Sequence, residues 1–170
     1  FHEALNWAGL HKLPVIFLVQ NNEYAISVPL DRQVAGGWVA ARGQGYGFPG
    51  IEVDGTDLLA VYEAVKAAHE RARRGEGPTL IEARCIRLTS HSSDDDQRRY
   101  RTPEEIAAVR ERDPLVRIRA YLREHRLLDE AGEEALERRV AAAVDDATEW
   151  AEAQPYAAPE DALRHVYKEG

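Results

Sequence analysis

The sequence predicts an α/β fold: a parallel central sheet flanked by helices, followed by a helical C-terminal region. Three observations carry that expectation. The stretch "VIFLV" at 15–19 is rich in β-branched and aromatic residues without alternation, the mark of a strand covered on both faces. "DGTDLLAVYEAVKAAHERARRGEG" and "PTLIEARCIRL" then read as a helix followed by the next strand. From Thr102 onward the chain reads as helical.

Each element follows in order. "FHEALNWAGLHK" spaces Phe1, Leu5 and Ala8 as a helix does, and Pro14 ends it. Residues 14–20 form the first strand, which stops on Asn21-Asn22, and a loop follows. "GGWVAARGQGYG" at 36–47 is a Gly-rich short helix, and "IEV" a short strand. The helix at 57–74 is the clearest: Asp57 caps it, Leu58, Val61, Val65 and Ala68 line one face, and Arg73, Arg74 and Gly75 stop it. Residues 78–86 form the next strand. Strand, helix, strand, helix, strand in this order implies right-handed crossovers and parallel pairing of 14–20 with 78–86. "TSHSSDDDQRRYR" is a polar loop without periodicity. Helices start at Pro103 and Pro114, a long amphipathic one runs from 129 to 153, and one last helix lies in "PYAAPEDALRHVYKEG".

Bulk properties exclude several classes. A chain of 170 residues can bury a sizeable core, and 44% hydrophobic with 31% charged residues is neither disordered nor fibrous. A formal net charge of −8 argues against nucleic acid as a partner. Residues 101–170 hold 17 Asp/Glu against 11 Lys/Arg, six of those eight charges, as solvated helix faces do. The single cysteine, Cys85, cannot form an internal disulfide and reads as a buried structural thiol. No stretch has the apolar length of a membrane helix, so no membrane partner is expected. The chain holds no Met, an initiator included, so its natural start is expected upstream of Phe1.

Three groups could carry chemistry. Asn21-Asn22-Glu23-Tyr24 ends a strand at the edge where open parallel sheets bind ligands. Read blandly, it is a turn. Read chemically, an Asn side-chain oxygen and a backbone carbonyl two residues on are hard oxygen ligands of the kind magnesium takes. His91 follows a strand of the same sheet, so its loop should leave by the same edge, where it can donate to an anion or shuttle a proton. A surface histidine in a mobile loop is the alternative. Asp94-Asp95-Asp96 lack metal-loop spacing and are expected to pair with Arg98, Arg99 or Arg101.

"FHEALNWAGLHKLPVIFLVQNNEYAIS", "YGFPGIEVDGTDLLAVYEAVKAAHERARRGEGPTLIEARCIRL" and "HSSDDDQRRYR…EE…RDPLVRIRAYL" resemble the alpha subunit of thiamine-diphosphate-dependent 2-oxo acid dehydrogenases over nearly the whole chain. The "HSS-DDD…YR" loop looks closer to the branched-chain 2-oxoisovalerate type than to the pyruvate type. The resemblance implies the thiamine-diphosphate-binding fold, with 1–100 the C-terminal part of its α/β domain and 101–170 a helical extension. The family's diphosphate motif runs from a Gly-Asp-Gly to a later Asn-Asn, and only its end matches here, so the first magnesium carboxylate is expected upstream. Carried across, Asn22 gives magnesium its side-chain oxygen and Tyr24 its carbonyl. Asn22, Glu23, Tyr24, Ala25 and Ile26 lie along the diphosphate, while His91 contacts the cofactor phosphate and acts near the substrate. Ser92 and Ser93 sit where animal relatives are phosphorylated. Gln20 stands where some relatives carry a phosphate-binding Arg, and the loop at Ser93 to Asp96 is a residue shorter than in some.

The implied activity is oxidative decarboxylation of a 2-oxo acid, with acyl transfer to a lipoyl group on a partner acyltransferase. The cofactors are thiamine diphosphate and Mg2+. The partner is a beta subunit, in a heterotetramer of two alpha and two beta chains, and the chain alone is not expected to be active. The C-terminal helices and segment 36–47 are candidate contact surfaces. The alternatives are a pyruvate or acetoin dehydrogenase alpha subunit, and a non-catalytic scaffold of the same fold. The location implied is cytoplasmic in a bacterium and the mitochondrial matrix in a eukaryote.

Overall fold

The computed structural model describes residues 1–164, 166 and 167. The chain divides into two compact units, Phe1–Glu124 and His125–Gly170. The first opens with helix α1 (His2–Leu10) and strand β1 (Ile16–Asn21). A small hairpin follows, made of β2 (Tyr24–Ala25) and β3 (Val28–Pro29). Next come α2 (Arg42–Gly45), β4 (Gly50–Asp54), α3 (Leu58–Arg73) and β5 (Thr79–Arg84). Helices α4 (Pro103–Glu111) and α5 (Pro114–Glu124) complete the unit.

The sheet order is β1-β5-β4 with both pairings parallel, as the order of elements predicted. Ile16 pairs with Thr79 and Asn21 with Arg84, while Gly50 pairs with Leu80 and Asp54 with Arg84. All three strands therefore finish level at Asn21, Arg84 and Asp54.

Leu5 and Leu80, both 0% exposed, pack with Phe48, Phe17 and Val19 into the core. Burying a leucine this fully contributes about 1.5–3 kcal/mol. The Phe17 and Phe48 rings stack at 6.3 Å between centroids. The expectation of a first strand covered on both faces is corrected. Strand β1 lies at the edge of the sheet and leaves Leu18 exposed, whereas β5, between two neighbours, is buried from Thr79 to Ala83.

Helix α3 is capped by Asp57, whose carboxylate accepts the N–H groups of Leu59 and Ala60 at 3.0 Å, as the sequence predicted. Its inward stripe differs from the expected one. Ala68 and Ala72 are buried and Val61 and Val65 half-buried, but Leu58 is 56% exposed. At the first turn Leu58 instead lines a cleft of about 370 Å³ with Arg117 and Tyr121 of α5. Arg117 clamps that corner, donating to Asp54, Thr56 and Asp57. Partial burial works against ionisation of Asp54, yet hydrogen bonds from Thr56 and Arg117 prevail and lower its pKa to about 2.

Thr102 and Glu105 form a reciprocal capping box at α4. In the second unit, Asp129 caps helix α6 (Glu130–Ala153) through the Gly132 N–H. Pro159–Leu163 form a 3-10 turn where a last helix was expected; the remainder of that expectation, at 165 and 168–170, lies outside the described residues. Among the described residues no helix is long and apolar enough to cross a membrane.

Candidate functional site

The level ends of the three strands make one edge, and the segments leaving it converge there. The ladders extend one step past the strands: Cys85 donates to the Asn21 carbonyl and Gly55 to the Arg84 carbonyl, both at 2.8 Å.

After β1 the chain makes two successive side-chain-closed turns. The Asn21 side-chain oxygen accepts the Glu23 N–H at 3.0 Å, and the Asn22 oxygen accepts the Tyr24 N–H at 3.1 Å. Glu23 adopts φ +66° and Ile26, at the hairpin tip, φ +55°. Left-handed backbone at a non-glycine costs about 1–3 kcal/mol and persists where the surroundings enforce it. At Glu23 those surroundings are visible. Its carbonyl accepts the Leu30 N–H at 2.9 Å, its carboxylate pairs with Arg84, and Arg84 also reaches Glu52 and stacks on Trp38. The ion pair with Glu23 raises the Arg84 pKa further.

Behind the turn is a buried polar cluster. Asn21 is 8% exposed, and its amide nitrogen donates to Glu82 Oε1 at 2.6 Å. Glu82, in the middle of β5, is 0% exposed, and its Oε2 accepts the Ala40 N–H at 2.7 Å. The Ala40 carbonyl in turn lies over Gly50, where a Cβ would stand 1.7 Å from it. The Gly-rich segment is thereby fastened to the sheet at the same edge.

The loop after β5 is held by a relay of side chains. Arg87 donates to the Ile26 carbonyl at 2.8 Å and to the Tyr100 hydroxyl. Tyr100 donates to Asp95, which also accepts the His91 N–H at 2.9 Å. The Tyr100 hydroxyl first, then the His91 N–H, hold the Asp95 carboxyl below its usual value. Burial, then the bond to Asp95, pushes the Tyr100 phenol up. Arg101, 6% exposed, lies 4.4 Å from the Tyr24 ring centroid and donates to the Arg87 carbonyl and to Gln97. Asp96 caps the short 3-10 turn Gln97–Arg99 and pairs with Arg98, which holds it at about 2. Asp95 and Asp96 of the acidic triplet hold structural partners, as expected, though Arg101 takes carbonyl and amide partners rather than a carboxylate.

Asn22, Glu23 and Tyr24 thus come together on one wall of an open cleft of about 240 Å³, with Cys85, Arg101 and Arg112 among the other lining residues. Ala25 and Ile26 lie in the hairpin beside it. Burial pushes the Cys85 thiol up, and it donates to the Ala83 carbonyl, in keeping with an inert thiol. His91 is exposed and does not line the cleft; the relay through Asp95, Tyr100 and Arg87 links its loop to Ile26. Among the described residues no three His, Cys, Asp or Glu side chains cluster as a metal site. The chain matches the dehydrogenase E1 component family over residues 1–160. It belongs to that family.

Named relatives of this E1 chain agree in part. It is 55% identical to the 2-oxoisovalerate dehydrogenase subunit alpha of Bacillus subtilis (strain 168) over 167 residues, which is 98% of this chain and 51% of that protein. It is 47% identical to the 3-methyl-2-oxobutanoate dehydrogenase subunit alpha of Mycobacterium tuberculosis (strain ATCC 25618 / H37Rv), over 81% of this chain and 38% of the other. A pyruvate dehydrogenase E1 component subunit alpha from Staphylococcus aureus (strain COL) matches at 48% over the same shares. The chain spans about half the length of the first of these relatives and less of the others.

The sequence missed Arg87, Tyr100 and Glu82. No local pattern singles out Arg87 and Tyr100, which flank a polar loop, or marks a glutamate inside a strand as buried.

Proposed function

We propose that this chain forms part of the alpha subunit of a thiamine-diphosphate-dependent 2-oxo acid dehydrogenase, of the branched-chain 2-oxoisovalerate type. The observation that carries the reading is the double turn at the carboxyl edge, which aligns the Asn22 amide with the Tyr24 backbone. An amide and a carbonyl oxygen suit Mg2+ rather than a soft metal. Arg87, beside the same segment, keeps buried Nε and Nη1 groups with no hydrogen-bond partner, which suits an anionic neighbour such as a diphosphate. The donor set fits the cofactor.

In this reading Asn22 and Tyr24 hold the metal, and residues 22–26 lie along the diphosphate. Both oxygens are neutral, so the remaining negative charge comes from phosphate and from a carboxylate elsewhere in the assembly. Thiamine diphosphate supplies the carbanion chemistry when bound. The chain's own part is to fix the metal-side oxygens on buried strand ends and to carry His91 on a loop tied to the same segment. His91 there contacts the phosphate and handles a proton near the substrate.

The reading extends to partners and place. A beta subunit completes the site in a heterotetramer, an acyltransferase-borne lipoyl group accepts the acyl product, and the location is the cytoplasm in a bacterium or the mitochondrial matrix in a eukaryote. The cleft supports a shared site, since about 240 Å³ is below the roughly 300–1,000 Å³ of a whole ligand pocket. Trp38 in the Gly-rich segment and Val140 and Val144 on α6 are exposed, as contact surfaces are before assembly. The match to a pyruvate dehydrogenase subunit supports one alternative substrate, pyruvate.

The test is steady-state kinetics of the full-length chain assembled with its beta subunit, comparing 3-methyl-2-oxobutanoate with pyruvate, with and without thiamine diphosphate and Mg2+. Cofactor-dependent turnover that favours the branched acid is expected. Preference for pyruvate would move the assignment to the alternative, and turnover independent of the cofactor would end it.

A further inference from the structure

We propose that Glu82 is a positioning residue for the metal-binding turn. It fixes the Asn22 and Tyr24 oxygens through Asn21, and it holds the Gly-rich segment to the same edge through Ala40. The inference rests on the reading of residues 22–24 as the metal and diphosphate site.

Glu82 is fully buried in the central strand, and both of its partners are neutral N–H groups. A carboxyl so placed is a poor way to gain stability, because a well-packed apolar side chain would avoid its desolvation. What a carboxylate supplies is polarity without ambiguity, for it only accepts. An asparagine amide is nearly symmetric in shape, and either its oxygen or its nitrogen fits the same space. With Glu82 behind it, Asn21 must aim its nitrogen inward and its oxygen outward. That outward oxygen accepts the Glu23 N–H at 3.0 Å and closes the first turn. Tyr24, the residue after Glu23, supplies the carbonyl, and Asn22 closes the second turn on its N–H. Were the Asn21 amide reversed, two N–H groups would face each other at Glu23, and the backbone at φ +66° would lose a restraint. The orientation of the metal-side oxygens is thus set one residue back and one strand across.

A swap of donor and acceptor tests this without changing volume. In Glu82→Gln, the new carboxamide can satisfy Ala40 or Asn21 but not both, so one pair of donors collides. In the double variant Asn21→Asp with Glu82→Gln, the carboxamide nitrogen at 82 donates to the carboxylate at 21. Its oxygen still accepts from Ala40, and the second oxygen at 21 still accepts from Glu23. All three bonds return with one polarity reversed, and net charge is unchanged.

The measurements are the Mg2+-dependent dissociation constant for thiamine diphosphate by titration calorimetry, and amide hydrogen exchange at Glu23 and Ala40. Both are made on the full-length chain assembled with its beta subunit. Glu82→Gln is expected to weaken cofactor binding about 10- to 100-fold, as loss of a supporting partner to a metal ligand does. It should speed exchange at both amides and leave kcat at saturating cofactor nearly unchanged. The double variant should recover most of the affinity. Native affinity in Glu82→Gln, or a double variant no better than the single, overturns the role. If Glu82→Gln alone fails to assemble, the double variant decides. Asn22→Ala separates the two levels. If it binds cofactor normally, the metal-site reading fails and the inference with it. If it binds weakly while Glu82→Gln does not, only the role of Glu82 falls.

Discussion

The turn after β1 is held from behind by groups that solvent does not reach, Asn21 at 8% and Glu82 at 0% exposure. The loop after β5 leaves the same edge but keeps His91, Ser92 and Ser93 in water, and its restraints are side chains reaching sideways through Arg87, Tyr100 and Asp95. Buried hydrogen bonds are directional and little screened, whereas exposed ones yield to water and salt. The proposed metal oxygens sit on the first kind of support and the proposed proton carrier on the second. The atoms proposed to hold a metal are anchored to the sheet, and the one proposed to approach a substrate is hung from a loop.

Breaking the anchored half should cost most. Gly50→Ala would drive a methyl group into the Ala40 backbone carbonyl at 1.7 Å, and backbone cannot swing aside as a side chain can. Loss of about 3 kcal/mol or more is expected from such overpacking, read from the denaturation midpoint. A stable variant would mean that the Gly-rich segment is not fastened as described.

A pair of substitutions sharpens the contrast at the site. Asn22→Ala removes a proposed metal ligand, and affinity for the magnesium–cofactor unit should drop about 100-fold, at the top of the range for loss of a supporting group. Activity should return at high cofactor and magnesium by mass action. His91→Ala should lower turnover instead, without rescue by added cofactor. Full rescue of the His91 variant would reduce that residue to a phosphate contact.

Tyr100→Phe deletes the middle of the relay and spares the sheet. A single hydrogen bond is worth about 1 kcal/mol net. The expected result is faster proteolysis between 88 and 101 with an unchanged melting temperature; a lower melting temperature would show that the loop supports the core.

The smallest effect is with pH. Asp95 is depressed on folding, so its contribution is complete above its ordinary value of 3.8 and is lost as pH falls through the lower folded value. Protection of the loop should therefore stay level from neutral pH down to about pH 4 and decline only below it. Asp95→Asn should abolish that decline. A step near pH 6 would point to a histidine instead.

Much of this was legible in the sequence because it is local or periodic. The apolar run into Asn21, the cap at Asp57 and the proline-started helices each announce themselves within a few residues. The double turn was readable as a possible site because two amides close a strand. The β2–β3 hairpin was not, since it has two residue pairs and turns on Ile26, a residue no turn rule favours at positive φ. Leu58 fell on the expected stripe but lies at the first turn of α3, where the cleft with α5 opens. Glu82 and Arg87 were hidden for another reason. Their partners Asn21 and Ile26 are each 61 residues away, and no window of sequence contains both ends.

That separation bears on how the molecule assembles. β4 and β5 are joined through a single helix, and Gly50 meets Leu80 across about half the chain length that divides Ile16 from Thr79. Closing the longer loop costs only about 0.6 kcal/mol more per doubling, but parallel pairings of distant segments form slowly. The β4–α3–β5 unit should therefore fold first, and β1 should dock on its finished edge afterwards. The Asn21–Glu82 bond belongs to that last step, so the proposed ligand edge comes into being only when β1 docks. A nascent chain would have no competent binding edge to offer until β5 had left the ribosome.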